Sequence, residues 1–295
     1  MRLENKYFKY FSVVTNNMTY SAMLRLSQEE VLIASDRTST NGIRTTTKTK
    51  KIVNKGNYAV VNAGRRANAF EITERWLKQS KKSFNEELES FKNIYQEVYF
   101  EKLKDIVPRN FGITYEDYIK GNIAEDLRKD VMSKMKKFAE KEFETTFLFE
   151  GPNENKVEIY SITSPGVANK ISERFSIIGS GYDLGEEPLY TFTCKFTGPI
   201  KRDEGLHAIS LSLAHSYRNL GVGGIPEIAF SNLNEFKTLD ERISAVSFNI
   251  ARKEIDGKIS QEDASNYFKE ILDNNANIES LAKKLEIPTD YIISR

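Results

Sequence analysis

Val31-Leu32-Ile33-Ala34-Ser35-Asp36-Arg37-Thr38-Ser39-Thr40-Asn41-Gly42, then Lys50-Lys51-Ile52-Val53, then Asn62-Ala63-Gly64-Arg65-Arg66-Ala67-Asn68-Ala69-Phe70, is the stretch from which the fold is read. Residues 31–34 form a short β-prone run. The polar Ser27-Gln28-Glu29-Glu30 separates it from a second such run at 21–26, which together read as a hairpin with Asp36 just past its end. Ile52-Val53, the turn-forming Asn54-Lys55-Gly56-Asn57 and Tyr58-Ala59-Val60-Val61 make a second hairpin, stopped by Ala63-Gly64. A helix is expected to open at Asn68 as N-cap, with Ala69, Ile72, Trp76 and Leu77 at helical spacing.

Outward from there, residues 84–143 are charged and helix-prone, interrupted at Pro108 and Gly112 and restarting at the capping-box-like Thr114-Tyr115-Glu116-Asp117. Residues 145–150 and 157–162 flank the turn at 151–155 as a third hairpin, which ends at Ser164-Pro165-Gly166. Phe175-Ser176-Ile177-Ile178 is a strand with a sharp exit at Gly179-Ser180-Gly181. Residues 203–218 read as a helix, 225–230 as a strand. Beyond Asn234 the chain becomes polar and helix-prone, with twelve acids against nine bases over 231–295. Antiparallel hairpins interleaved with helix pairs indicate an α+β fold of two packed sheets flanked by helices, with a helical C-terminal extension.

Composition narrows the function. The chain has 295 residues, 43 basic and 42 acidic side chains, two histidines and one cysteine. A lone Cys194 closes no internal disulfide, and with only His207 and His215 no Cys/His zinc cluster can form, so no metal site and no cofactor are expected. No run approaches the roughly 20 apolar residues of a membrane span, and residues 1–17 lack a secretory apolar core. The expectation is a soluble protein of a reducing cytoplasm, with no membrane and no nucleic-acid partner. The near-neutral total hides one imbalance: Arg37, Arg44, Lys48, Lys50, Lys51, Lys55, Arg65 and Arg66 stand in a segment without a single acid. That segment is either a solvated face or the electropositive wall of a site.

Other candidates are weaker. The glycine run 179–185 follows a strand but departs from the dinucleotide fingerprint, and no βαβ unit follows it. His215 reads as a packed or surface histidine and Cys194 as a small buried hydrophobe. No nucleophile elbow, Walker loop or His-Glu-x-x-His is present.

In order and spacing, the opening stretch resembles the start of proteasome β-type subunits and their bacterial relatives. Gly151, Ser164-Pro165-Gly166, Ile178-Gly179-Ser180-Gly181 and residues 218–224 follow where that family has counterparts, so the resemblance extends over about 18–230. Residues 65–77 are similar to the bacterial two-component protease of the superfamily, and Met18-Thr19-Tyr20 looks like the start of its ancestral β-subunit-like branch. The resemblance implies a four-layer αββα sandwich of the N-terminal-nucleophile hydrolase type over 19–230. It also implies a threonine peptidase acting on peptides or unfolded proteins, and a homo-oligomer, with a ring possible and any ATPase partner unspecified.

It implies roles for individual residues as well. Thr19 would supply the hydroxyl nucleophile and, as a free N-terminus, the base; an α-amine titrates at roughly 7.7–8.0. Lys51 would stabilise developing negative charge, and Asp36 would anchor Lys51. Lys50 points to the opposite face of an extended chain, so only one of the two lysines can serve. The Gly64 N–H would be the oxyanion donor and Ser180 a supporting hydroxyl. Ser39, Val53, Asn62 and Arg66 map to the substrate pocket, where a basic wall would favour an acidic residue before the scissile bond.

The family's supporting Asp and Ser fall on Asn219 and Val222, a departure that weakens that part of the network. Residues 1–18 are a second departure, because a peptide-bonded Thr19 has no amine. They are a removable leader or a mis-assigned start, or else the protein is a catalytically inactive relative, a proteasome-like scaffold with 231–295 as a binding surface. Asn17-Met18 lacks the glycine that commonly precedes self-cleavage, which favours translation from Met18. An amine in place of water would make the enzyme a transpeptidase.

Overall fold

The computed structural model describes residues 19–41, 44–46, 49–80, 83–219, 222–273 and 277–287; the expected leader 1–18 lies outside the described residues. In chain order the strands are β1 (Ser21–Arg25), β2 (Glu30–Ser35), β3 (Ser39–Asn41), β4 (Arg44–Thr46), β5 (Ile52–Lys55), β6 (Tyr58–Gly64), β7 (Thr145–Asn153), β8 (Lys156–Thr163), β9 (Val167–Lys170), β10 (Phe175–Ile178), β11 (Glu227–Asn232) and β12 (Phe236–Thr238). The helices are α1 (Arg66–Leu77), α2 (Phe84–Phe111), α3 (Tyr115–Lys120), α4 (Glu125–Lys137), α5 (Tyr182–Thr193), α6 (Arg202–Ser216), α7 (Glu241–Ile255), α8 (Gln261–Leu272) and α9 (Ile278–Lys284).

Two antiparallel five-stranded sheets result, ordered β10-β1-β2-β11-β12 and β5-β6-β7-β8-β9, with β3–β4 a separate ladder. The three hairpins expected from the sequence all form, the first pairing Met23 with Ile33 and the second Val53 with Val60. Their strands are near-continuous apolar runs because successive side chains enter different cores. Met23, Val31, Ile33, Val61, Leu148 and Ile159, drawn from both sheets, cluster together. Their neighbours Leu24, Leu32 and Ala34 instead pack with Leu206, Ile209 and Leu213 of α6. Val60, Phe147 and Phe149 turn to Trp76, Phe91 and Tyr95 of α1 and α2. Trp76 is wholly buried, edge-on to Phe91 and Phe149, and its indole N–H donates to Glu87 at 2.8 Å.

Four local readings need correction. Helix α1 begins at Arg66 after an extended Arg65 that makes no side-chain cap; Asn68 is buried inside the helix and donates to Thr145 Oγ1 at 3.4 Å. Helix α2 runs through position 108 and stops before Gly112, whose φ of +67° is a glycine C-terminal conformation. Residues 182–193 form a helix the sequence did not announce, because Gly185 and Pro188 lower helix propensity there. Gly185 is needed all the same, since a Cβ would stand 2.5 Å from the Tyr20 ring. Cys194, expected to be buried, is exposed.

Among the described residues after Asn234 the elements are the helices α7, α8 and α9, as expected, and β12. Val246, Ile250, Phe268 and Leu281 of these helices share one apolar cluster with Tyr20 and Leu24.

Candidate active site

Thr19 stands two residues before the start of β1, at the end of β10, where Gly179-Ser180-Gly181 wraps it. Its N–H donates to Ser180 Oγ at 3.2 Å, and its carbonyl oxygen accepts from the Gly181 N–H at 3.0 Å. Gly179 has φ +98°, a conformation open to glycine, and packs directly on the Thr19 main chain. The sharp exit seen in the sequence is thus a cradle for one residue.

Asp36, fully buried, follows the last residue of β2. Its Oδ1 accepts from Lys51 Nζ at 2.6 Å and from the Tyr20 N–H at 2.9 Å; its Oδ2 accepts from the N–H groups of Thr38 at 3.1 Å and Gly223 at 3.4 Å. Lys51 Nζ also reaches Thr19 Oγ1 at 3.3 Å. One ammonium therefore bridges the threonine hydroxyl and a carboxylate. Burial pushes the Asp36 carboxyl above and the Lys51 amine below their ordinary values, and the contact between the two opposes both shifts. The neighbouring lysines differ: Lys51 is buried, while Lys50 is exposed and lines a cavity.

That cavity, about 390 Å³, gathers three of the four residues expected to bind substrate, Val53, Asn62 and Arg66, together with Phe70 and Glu74. Asn62 also joins the two halves of the site: its Nδ2 donates to the Lys51 carbonyl at 3.1 Å and its own carbonyl accepts from Ser21 Oγ at 3.0 Å. Ser39 lies on β3, and its side chain falls outside the described residues. Gly64 ends β6 with φ +99°, where a Cβ would come within 2.1 Å of the Glu144 carbonyl oxygen. Asn219 donates from Nδ2 to the Ser180 carbonyl at 2.9 Å, supporting the cradle, whereas Val222 is buried in the apolar cluster.

Two participants were not read from the sequence. The Gly223 amide, which donates to Asp36, lies in the run 218–224 that was matched to the family without any role for this amide. Glu227, at the start of β11, accepts from the N–H groups of Lys51 and Ile52. His215 lines no part of this network; burial, followed by nearby Arg218, lowers its affinity for a proton. Among the described residues no group of three or more His, Cys, Asp or Glu side chains is placed to hold a metal, and no helix is long and apolar enough to cross a membrane.

Two antiparallel sheets with helices packed on them make a mixed α/β fold that is similar to a proteasome-like one. Solved structures to which it is similar include Anbu proteins. One is an Anbu (Gly-1) mutant from Hyphomicrobium sp. strain MC1, with TM-score 0.53 and 15% identity, covering 82% of this chain and 98% of that one. Another is Anbu, described as an ancestral β-subunit, from Yersinia bercovieri, with TM-score 0.55 and 15% identity, covering 81% and 94%. At that identity the likeness concerns the fold. No family model matches the chain, and no curated protein matches it.

Proposed function

We propose that the protein is a proteasome-like threonine hydrolase that cleaves, or transfers, peptide bonds through an acyl-enzyme on Thr19. The observation that carries this reading is Lys51 Nζ lying 3.3 Å from Thr19 Oγ1 while paired at 2.6 Å with buried Asp36. In the proposed reaction Thr19 Oγ attacks the peptide carbonyl carbon, and its proton passes to the Thr19 α-amine. Lys51 lowers the energy of the developing alkoxide, and the Gly64 N–H receives the negative charge on the carbonyl oxygen. Collapse expels the amine product, which leaves with the proton, and forms an ester on Thr19. Water releases the acid; a second amine in its place would form a new peptide bond.

The chemistry needs Thr19 as the first residue, with 1–18 removed or never translated. Ser180 Oγ, already 3.2 Å from the Thr19 nitrogen, would then orient the free amine. The remainder of the proposal is a four-layer αββα arrangement, supported by one apolar cluster shared between the sheets and one on each outer side. Within it, 19–230 is the hydrolase-like unit and 231–295 a helical extension. A homo-oligomer, with a ring as one form, in the cytoplasm and acting on peptides or unfolded chains completes it.

A second reading has one observation in its favour: Asn219 and Val222 stand where the family has Asp and Ser, and Val222 is a core residue. It makes the protein a catalytically silent scaffold. Comparing peptide hydrolysis by the native protein, Thr19→Ser and Thr19→Ala, each with residue 19 at the N-terminus, separates the two. The hydrolase reading requires turnover by the first two and none by the third. Equal rates in all three leave the scaffold.

A further inference from the structure

Lys51 must deliver Nζ to Asp36 and Thr19 at once, and a four-carbon side chain can do so only if its own main chain is held. Asp36 fixes the amine end. At the other end the Glu227 carboxylate, 2% exposed, accepts from the Lys51 and Ile52 N–H groups at 3.4 Å each. A buried carboxylate is costly unless paired and hydrogen-bonded, and Glu227 is paired: its second oxygen faces Arg37 Nη2 at 3.8 Å. Arg37 in turn makes a close ion pair with Glu241, the first residue of α7. A continuous line therefore runs from α7 through Glu241, Arg37 and Glu227 to the main chain on which Lys51 sits.

We propose that Glu227 is the positioning residue for Lys51, and that Arg37 and Glu241 brace it, so that α7 of the C-terminal segment helps to set the geometry of the candidate catalytic lysine. The catalytic part rests on the reading of Thr19, Asp36 and Lys51 given above; the mechanical part does not. Glu227 holds the Lys51 and Ile52 N–H groups and pairs with Arg37, and acts through Lys51.

Amide hydrogen exchange at Lys51 and Ile52, measured on the full chain by NMR, tests the mechanical part without reference to activity. Glu227→Ala should speed exchange at both amides about tenfold, while Glu227→Gln, which keeps an acceptor oxygen, should stay near the native rate. Glu241→Ala, half-exposed at the start of α7 and so tolerant of replacement, should speed it about threefold. In preparations of the same variants with Thr19 as the first residue, kcat should follow the exchange result, falling in Glu227→Ala and recovering in Glu227→Gln, with KM unchanged. Native exchange in a folded Glu227→Ala protein overturns the proposal. If that variant does not fold, native exchange and kcat in Glu241→Ala overturn it instead. A native protein with a free Thr19 but no turnover retires the hydrolase reading alone, because the exchange rates still decide whether Glu227 holds Lys51.

Discussion

A Cβ placed on Gly179 would stand 2.1 Å from the carbonyl oxygen of Thr19 and 2.8 Å from its carbonyl carbon. The contact is with main chain on both sides and cannot relax by turning a side chain. With φ at +98° added, Gly179→Ala should destabilise the fold by at least about 2 kcal/mol. Gly198, where a Cβ would meet nothing within 4 Å, is the control, and Gly198→Ala should be neutral within about 0.5 kcal/mol. Urea unfolding of the two variants checks both.

Lys51 and Asp36 form a pair that is almost entirely out of water. Removing one partner strands the other, so Lys51→Met alone should cost about 3 kcal/mol, and the double variant Asp36→Asn with Lys51→Met should recover much of it. Hydrolysis should be lost in both. Thermal melts and turnover, measured side by side, separate the lysine's structural part from its chemical one, and activity in the double variant would remove Lys51 from the mechanism.

Glu150 is wholly buried, beside Ser231, and burial pushes its carboxyl up to about 8, the Ser231 hydroxyl offsetting only part of the rise. Below pH 4.5 this carboxyl is protonated whether the chain is folded or not. Above that the unfolded chain releases the proton and the native one keeps it, so stability falls as pH rises toward 8, by up to about 1.4 kcal/mol per unit from this group. Glu227 and Asp36, also raised by burial, add in the same direction. Glu150→Gln should flatten the decline, as read from urea midpoints between about pH 5 and 8; an unchanged slope would show that Glu150 is ionised in the native protein.

Arg66 and Lys50 line the cavity beside Asn62, opposed there by Glu74. Substrates with an acidic residue before the scissile bond should be favoured, and Arg66→Glu should lower kcat/KM for them roughly tenfold while leaving apolar substrates nearly unchanged. A fluorogenic panel with acidic, basic and apolar residues at that position reads this directly.

What could be read from the sequence was what is local. The three hairpins were visible because apolar runs and turn residues alternate at short range, whereas Lys51 was chosen over Lys50 by resemblance, because it directly precedes Ile52-Val53 as in the family pattern. The helix over 182–193 was hidden by Gly185 and Pro188, whose reasons lie elsewhere: Gly185 makes room for the Tyr20 ring. Asn68 looked like a cap from its side chain alone, but β7 supplies it with a partner at Thr145. Glu227 could not be found at all, since the two amides it holds are more than 170 residues away and no local pattern marks an acid that serves a distant main chain.

In the proposed reaction Thr19 acts as a nucleophile with a free α-amine. An epoxyketone captures both groups in one adduct, so intact-protein mass spectrometry before and after exposure to it tests the claim in one measurement. The expected result is a mature mass beginning at Thr19 and a single adduct located on that residue, absent from Lys51→Met. A mature protein that retains residues before Thr19, or one that begins at Thr19 and takes no adduct, would contradict it.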